Sequence, residues 1–134
     1  MIQSVDSVKL LDEIEQRSAQ AGVITDVLLQ VNTSGEQTKS GVLPDEIWSL
    51  IEHVETLNCV RVRGLMTIAP IYITDVSSTL HFDNTRALFL DIKSRKYNNI
   101  SMEILSMGMS GDFEEAIACG SNMVRVGSLI FGKR

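Results

Sequence analysis

Short β-branched runs alternate with longer amphipathic stretches along the chain, and this alternation restricts the fold more than any other feature. Two strands with a helix between them cannot be hairpin partners, so they pair in parallel through right-handed crossovers. Strands are expected at residues 2–5, 26–32, 60–68, 102–107 and 123–127. Their apolar character fits a sheet covered on both faces. The resulting order is βαβαβαβαβ, an α/β class shared by doubly wound sheets and (β/α) barrels, and periodicity alone does not choose between them.

The helices between these strands carry their own punctuation. Asp6 or Ser7 can cap the first, which buries Val8, Leu11, Ile14 and Ala21 and stops at Gly22. Pro44 suits the first turn of the second, followed by Ile47, Leu50, Ile51, Val54 and Leu57 at helical spacing. The third is expected over 77–97 with Leu88, Phe89 and Ile92 inward, and a short fourth over 112–119, ended by Gly120. No low-complexity linker interrupts the pattern, so residues 1–134 are expected to form one α/β unit.

Charge and composition remove several function classes. A net charge of −5 argues against a nucleic-acid or anionic-membrane surface, and Arg61, Arg63 and Arg125 form no basic stripe. No apolar run approaches the roughly 20 residues that span a bilayer. The N-terminus turns acidic too early for a secretory signal. Cys59, Cys119, His53 and His81 are scattered, which suggests neither a disulfide framework nor a zinc site. A cytoplasmic protein is expected. Phosphate-loop, dinucleotide, nucleophile-elbow and zinc-protease motifs are all absent from the sequence.

Three segments have the residue types for ligand chemistry. In SMGMSGDFEEAI, residues 106–117, a strand runs through small residues into a helix start with acidic groups. Ser110 offers a hydroxyl, while Gly108 and Gly111 let backbone come close, as an anion site requires. The same residues also read as an ordinary turn with Asp112 and Glu115 in a capping box. In GSNMVRVGSLIFG, residues 120–132, Arg125 alternates with Val124 and Val126 and so points away from them. A guanidinium there calls for an anion, a carbonyl, a ring nitrogen or a carboxylate such as Glu103. Gly127 and Ser128 add donors at the strand's carboxyl end, where parallel α/β folds bind ligands. In RVRGLMT, residues 61–67, Gly64 suits a close backbone or flat ligand, and Met66 reads either as core filling or as a contact to a ring.

Taken together, QVNTSGEQTKSG (30–41), RGLM (63–66), SMGMS (106–110) and GSNMVRVGSLIFG (120–132) occur in an order that resembles the pyridoxal phosphate homeostasis protein family, YggS-like in bacteria. The resemblance spans residues 2–132. It implies an alanine-racemase-like barrel that binds pyridoxal 5′-phosphate (PLP) without established turnover. By that resemblance Ser110, Gly127 and Ser128 hold the phosphate, Gly108 and Gly111 shape its loop, Arg125 faces the pyridine nitrogen, and Met66 lines the ring. Such a pairing leaves the nitrogen unprotonated and weakens the ring as an electron sink.

The resemblance also implies a departure. The chain opens where the family's fourth strand is expected, so the Schiff-base lysine has no counterpart, and neither Lys39 nor Lys133 matches its motif. A (β/α)8 barrel takes about 250 residues, so five strands form a partial barrel with two open edges. The expectations are therefore a noncovalent PLP or phosphate binder with no catalytic residue, a racemase-like enzyme, or half of a split barrel. The last would pair with a missing N-terminal half, or self-associate, through its edges. Tyr72 and Tyr97 are the only tyrosines a racemase could use, and neither closely follows a strand end in a recognised motif.

Overall fold

The computed structural model describes residues 1–70 and 78–132. Strand β1 spans Ile2–Val5, β2 Thr25–Val31, β3 Val60–Thr67, β4 Ile100–Met109 and β5 Met123–Arg125. Between them run α1 (Val8–Ala21), a 3-10 turn at Pro44–Glu46 leading into α2 (Ile47–Val54), α3 (Ser78–Ser94) and α4 (Phe113–Ala118), with α5 (Ser128–Phe131) following β5. All neighbouring strands are parallel, and their order in space is their order in sequence. A doubly wound sheet reverses direction at a switch point to cover both faces. This sheet has no reversal, so its successive crossovers place the helices on one side, as in a barrel.

The curl of the sheet is visible in a single contact. The Ser106 hydroxyl on β4 lies 2.9 Å from Gln3 Oε1 on β1. Three strand spacings separate β1 from β4, roughly 14 Å in a flat sheet, further than a glutamine and a serine reach together. The five strands therefore form an arc of a barrel.

The convex side carries the apolar core. Val27, Leu29 and Val31 of β2, Val60, Val62 and Leu65 of β3, and Leu105 and Met107 of β4 pack with Leu11 and Ile14 of α1, Ile47 and Ile51 of α2, and Phe82 and Ile92 of α3. Leu28 and Met66 are as deeply buried but belong to no part of this cluster. They face the concave side with the buried polar residues Gln30 and Ser106.

Several local expectations are corrected. Ser7, not Asp6, caps α1, accepting from Leu10 N–H at 3.3 Å, whereas Asp6 accepts from Gly41 N–H across the loop after β2. Val8 and Ala21 are exposed, because the buried stripe of α1 is narrower than its apolar residues suggest. The fourth strand is longer at both ends than 102–107, and the fifth stops at Arg125. The third helix ends at Ser94, and its expected first residue, Ser77, lies outside the described residues. His53 is half-buried and joins α2 to α1 through Asp12, at 2.6 Å.

Register shifts break the strand periodicity near the middle of the sheet. Pairing of β2 with β3 jumps between Val27 and Leu28, and that of β3 with β4 between Val62 and Gly64. Gly64 sits there with φ 154°, and a Cβ on it would lie 1.7 Å from the Ile104 carbonyl oxygen. The close approach of β4, not a flat ligand, is what requires this glycine. At the amino-terminal ends of the strands Asp26 accepts from Arg61 (2.7 Å) and Arg63 (3.4 Å), and Arg63 also binds Glu103. The hydrogen bond from Arg61 is the main reason the Asp26 carboxyl stays below its ordinary value. The charges of Arg61 and Arg63 assist, and burial opposes them.

Gly64→Ala is expected to destabilise the chain by about 3 kcal/mol in urea unfolding, because the Ile104 backbone on β4 must move away from the new methyl. Asp26 contributes stability above its unfolded-state value, and that contribution disappears as pH falls through its lower folded-state value. Asp26→Asn should thus flatten the acid limb of a stability-against-pH curve below about pH 4. At neutral pH it should cost only about 0.5 kcal/mol, since solvent screens the pair.

Candidate functional site

A cavity of about 550 Å³ opens at the carboxyl ends of β3, β4 and β5. Its wall includes Pro70 after β3, Met109 to Asp112 after β4, and Arg125, Gly127 and Ser128 at the end of β5, with Ser78 of α3 and Glu115 of α4 beside them. Five of the residues singled out in the sequence meet here: Ser110, Gly111, Arg125, Gly127 and Ser128. The Gly127 N–H donates to Ser110 Oγ at 3.2 Å, joining the loops after β4 and β5. Within α5 the Ile130 and Phe131 N–H groups donate back to the Gly127 carbonyl, at 3.0 and 2.9 Å, which fixes Ser128 at the start of that turn.

Met66 and Gly108 are not in this wall. Met66 is 4% exposed and pairs in register with Ser106, so it sits deeper on the concave face. Gly108 is buried against α4, where a Cβ would lie 2.7 Å from the Ala116 Cβ and 2.9 Å from the Phe113 Cα. Its place in the molecule is the packing of α4 against β4.

Arg125 has no carboxylate partner among the described residues. Its Nη1 donates to the Ser106 carbonyl (3.1 Å) and hydroxyl (2.6 Å), and its Nη2 to the Thr67 carbonyl (2.9 Å). The alternative partner suggested by the sequence, Glu103, is taken by Arg63 and by Ser101. Burial lowers the Arg125 guanidinium from its ordinary value, and the Asp112 carboxylate pushes it back up. A positive charge held by neutral acceptors in a partly enclosed hollow favours an anion or an electron-rich ring atom.

The capping box is absent. Asp112 precedes α4 but makes no side-chain cap; its Oδ1 accepts from Met109 N–H at 2.6 Å and so tightens the loop. Glu115 accepts from the Ser78 hydroxyl, linking α4 to α3. Both acidic groups in the wall are thus engaged. Sequence reasoning passed over Gln3, Thr67 and Ser106, although Ser106 between Leu105 and Met107 is a polar residue at an inward position of an apolar strand.

The lysine and tyrosine candidates lie elsewhere. Lys39 belongs to the loop after β2, pairs with Glu36 at 3.4 Å, and borders a separate hollow with Gln30 and Asn32. Tyr97 follows α3 and leads into β4, at the amino-terminal end of the sheet, beside Trp48. Tyr72 and Lys133 are outside the described residues. No group of three or more potential metal ligands occurs among the described residues. No described helix is long and apolar enough to cross a membrane. Both cysteines are free, and burial raises the Cys119 thiol above its ordinary value.

With this geometry in view, comparison with known proteins is informative. The family model for the alanine racemase N-terminal domain matches residues 1–134. The chain belongs to this family. Within it, a pyridoxal phosphate homeostasis protein of Aquifex aeolicus is 42% identical over all of this chain and 58% of its own length. A protein of the same name from Mus musculus is 41% identical over 100% of this chain and 50% of its own. The chain therefore spans little more than half the length of these relatives. PipY of Synechococcus elongatus, solved with PLP bound, superposes with a TM-score of 0.86 at 30% identity, over 98% of this chain and 60% of PipY. Alanine racemase of Clostridium difficile, 18% identical with a TM-score of 0.73 over 100% of this chain and 34% of its own, shares the fold. These likenesses agree with the partial barrel and with the family expected from the motifs.

Removing the guanidinium leaves the Thr67 and Ser106 carbonyls without their side-chain donor. Arg125→Met should lower stability by about 1–2 kcal/mol in denaturant titration. A variant as stable as the parent would show that these contacts contribute nothing to the fold.

Proposed function

We propose that the chain holds pyridoxal 5′-phosphate noncovalently, as the recognition half of a PLP-handling protein that works in the cytoplasm. The observation that carries this reading is the Arg125 guanidinium, held in the cavity by carbonyls and a hydroxyl, with no carboxylate hydrogen-bonded to it among the described residues. The cavity volume of about 550 Å³ is in the range of small-cofactor sites.

The residues present fit the group. Ser110, Gly111, Gly127 and Ser128 supply hydroxyl and backbone donors for a phosphate, at the strand ends where barrels commonly bind one. Arg125, which can only donate, would meet the ring nitrogen and so disfavour its protonation. When bound, PLP supplies an electron-withdrawing ring and an aldehyde, and an unprotonated nitrogen makes that ring a weaker electron sink. Asp112 accepts from the Met109 N–H and Glu115 from the Ser78 hydroxyl, so both acids of the wall have donors within the fold.

The outer strands β1 and β5 have free edges in this arc, and Leu129, Ile130 and Phe131 of α5 are 63%, 68% and 86% exposed beside β5. A partner strand set, either the remaining part of the family's barrel or a second copy, covers this region in the assembled protein.

PLP added to the purified chain is expected to bind with a shifted absorbance, and borohydride treatment should leave it removable under denaturing conditions. Stoichiometric retention on one lysine would contradict the noncovalent reading. Ser110→Ala and Ser128→Ala should each weaken both PLP and inorganic phosphate about tenfold, some 1.4 kcal/mol, in equilibrium dialysis. L-alanine incubated with chain and PLP should keep its configuration. Turnover abolished by Arg125→Ala would favour the racemase reading instead.

A further inference from the structure

The contacts of Ser106 determine every proton in a hydrogen-bonded chain that crosses the concave face. A guanidinium only donates, so the Ser106 hydroxyl must accept from Arg125 Nη1 at 2.6 Å. Its own proton is then free to go elsewhere, and the partner within reach is Gln3 Oε1 at 2.9 Å. The amide orientation follows, because only the Gln3 oxygen, not its nitrogen, can accept that proton. Arg125 is simultaneously held by two backbone carbonyls, those of Ser106 on β4 and Thr67 on β3. Thr67 in turn donates its hydroxyl to the Val31 carbonyl on β2 at 2.8 Å. Ser106 and Thr67 are fully buried, so water does not compete for these groups.

The consequence is directional. Three of the five guanidinium N–H groups are committed to the sheet, leaving two for a ligand among the described contacts. A long, flexible arginine would otherwise lose considerable rotamer freedom on meeting a ligand. Here three hydrogen bonds already hold the guanidinium to the sheet, and the anchor reaches from β5 through β4 to β1.

We propose that Ser106 and Gln3 are positioning residues that aim Arg125 at the pyridine nitrogen, and thereby let this chain prefer a pyridine-bearing phosphate to inorganic phosphate. This inference rests on the PLP reading above, but names two residues that touch neither phosphate nor ring. Gln3 acts from the opposite side of the arc, so the curvature of the sheet and the aim of Arg125 are coupled. Ser106→Ala removes one oxygen from a fully buried site, and Gln3 is half-buried, so both substitutions change hydrogen bonding more than packed volume.

The test uses the full chain and its Ser106→Ala, Gln3→Leu and Gln3→Glu variants. Without cofactor, the Arg125 Nη protons should give separate, slowly rotating NMR resonances in the parent. They should merge in Ser106→Ala and Gln3→Leu, and separate again in Gln3→Glu, whose carboxylate keeps the acceptor. With PLP, the first two variants should lose about tenfold in affinity while binding of inorganic phosphate stays within twofold. The pH at which the bound ring titrates should also rise. Unchanged Arg125 resonances, or an equal loss for PLP and phosphate, would overturn the positioning roles. A parent chain that binds no PLP overturns the cofactor reading itself, and parental binding with unaltered variants overturns only the inference about Ser106 and Gln3.

Discussion

The hydrogen bond between Ser106 and Gln3 crosses a span that only a curled sheet can close, and the rest of the molecule depends on that curl. Parallel strands laid down in sequence order, each joined by a crossover of the same hand, place their helices on one side. The convex face then becomes an ordinary apolar interface with α1 to α4. The concave face receives no helix. Its side chains must satisfy one another, and they do so in tiers: an ion-paired tier of Asp26, Arg61, Arg63 and Glu103 toward one end, apolar Leu28 and Met66 between, and the chain of Gln3, Ser106, Arg125 and Thr67 toward the other.

The two ends differ in how their charges are balanced, and that difference separates scaffold from site. Around Asp26 every arginine has a carboxylate, so the charges are matched within the fold and solvent reaches the group. Around Arg125 the hydrogen-bond acceptors are neutral, in a hollow whose wall holds serine hydroxyls, small residues, and Asp112 and Glu115, each bonded elsewhere. An arrangement like the first stabilises; one like the second has unused capacity for a negatively charged or electron-rich ligand. Gly64 serves the scaffold and Gly108 the docking of α4, while Gly111 and Gly127 border the hollow.

Much of this was legible in the chain itself. Alternation of apolar strands with amphipathic helices specified a parallel α/β sheet, and Gly22, Pro44 and Gly120 marked their boundaries correctly. Arg125, Gly127, Ser128, Ser110 and Gly111, singled out in the sequence, border one hollow. Met66 and Gly108 lie outside the cavity wall, Met66 buried on the concave face and Gly108 against α4. Register shifts near Leu28 and Gly64 alter which residues face inward, and strict alternation does not anticipate them. The capping box failed for a related reason. Asp112 and Glu115 have the right spacing, yet their carboxylates found partners in Met109 and Ser78 that no local pattern includes.

The sequence by itself determined the local alternatives: where strands and helices form, which residues carry polar groups into apolar runs, and which family the motifs resemble. These follow from short-range sterics and periodicity, which act over a few neighbouring residues. Only the tertiary structure decided that the sheet curls instead of doubling back. It also decided that Arg125 rests on Thr67 and Ser106 rather than Glu103, and that Gln3, 103 residues from Ser106, completes the chain of hydrogen bonds. Those outcomes depend on which strands become neighbours and how far the arc bends, and the burial of distant residues against one another sets both.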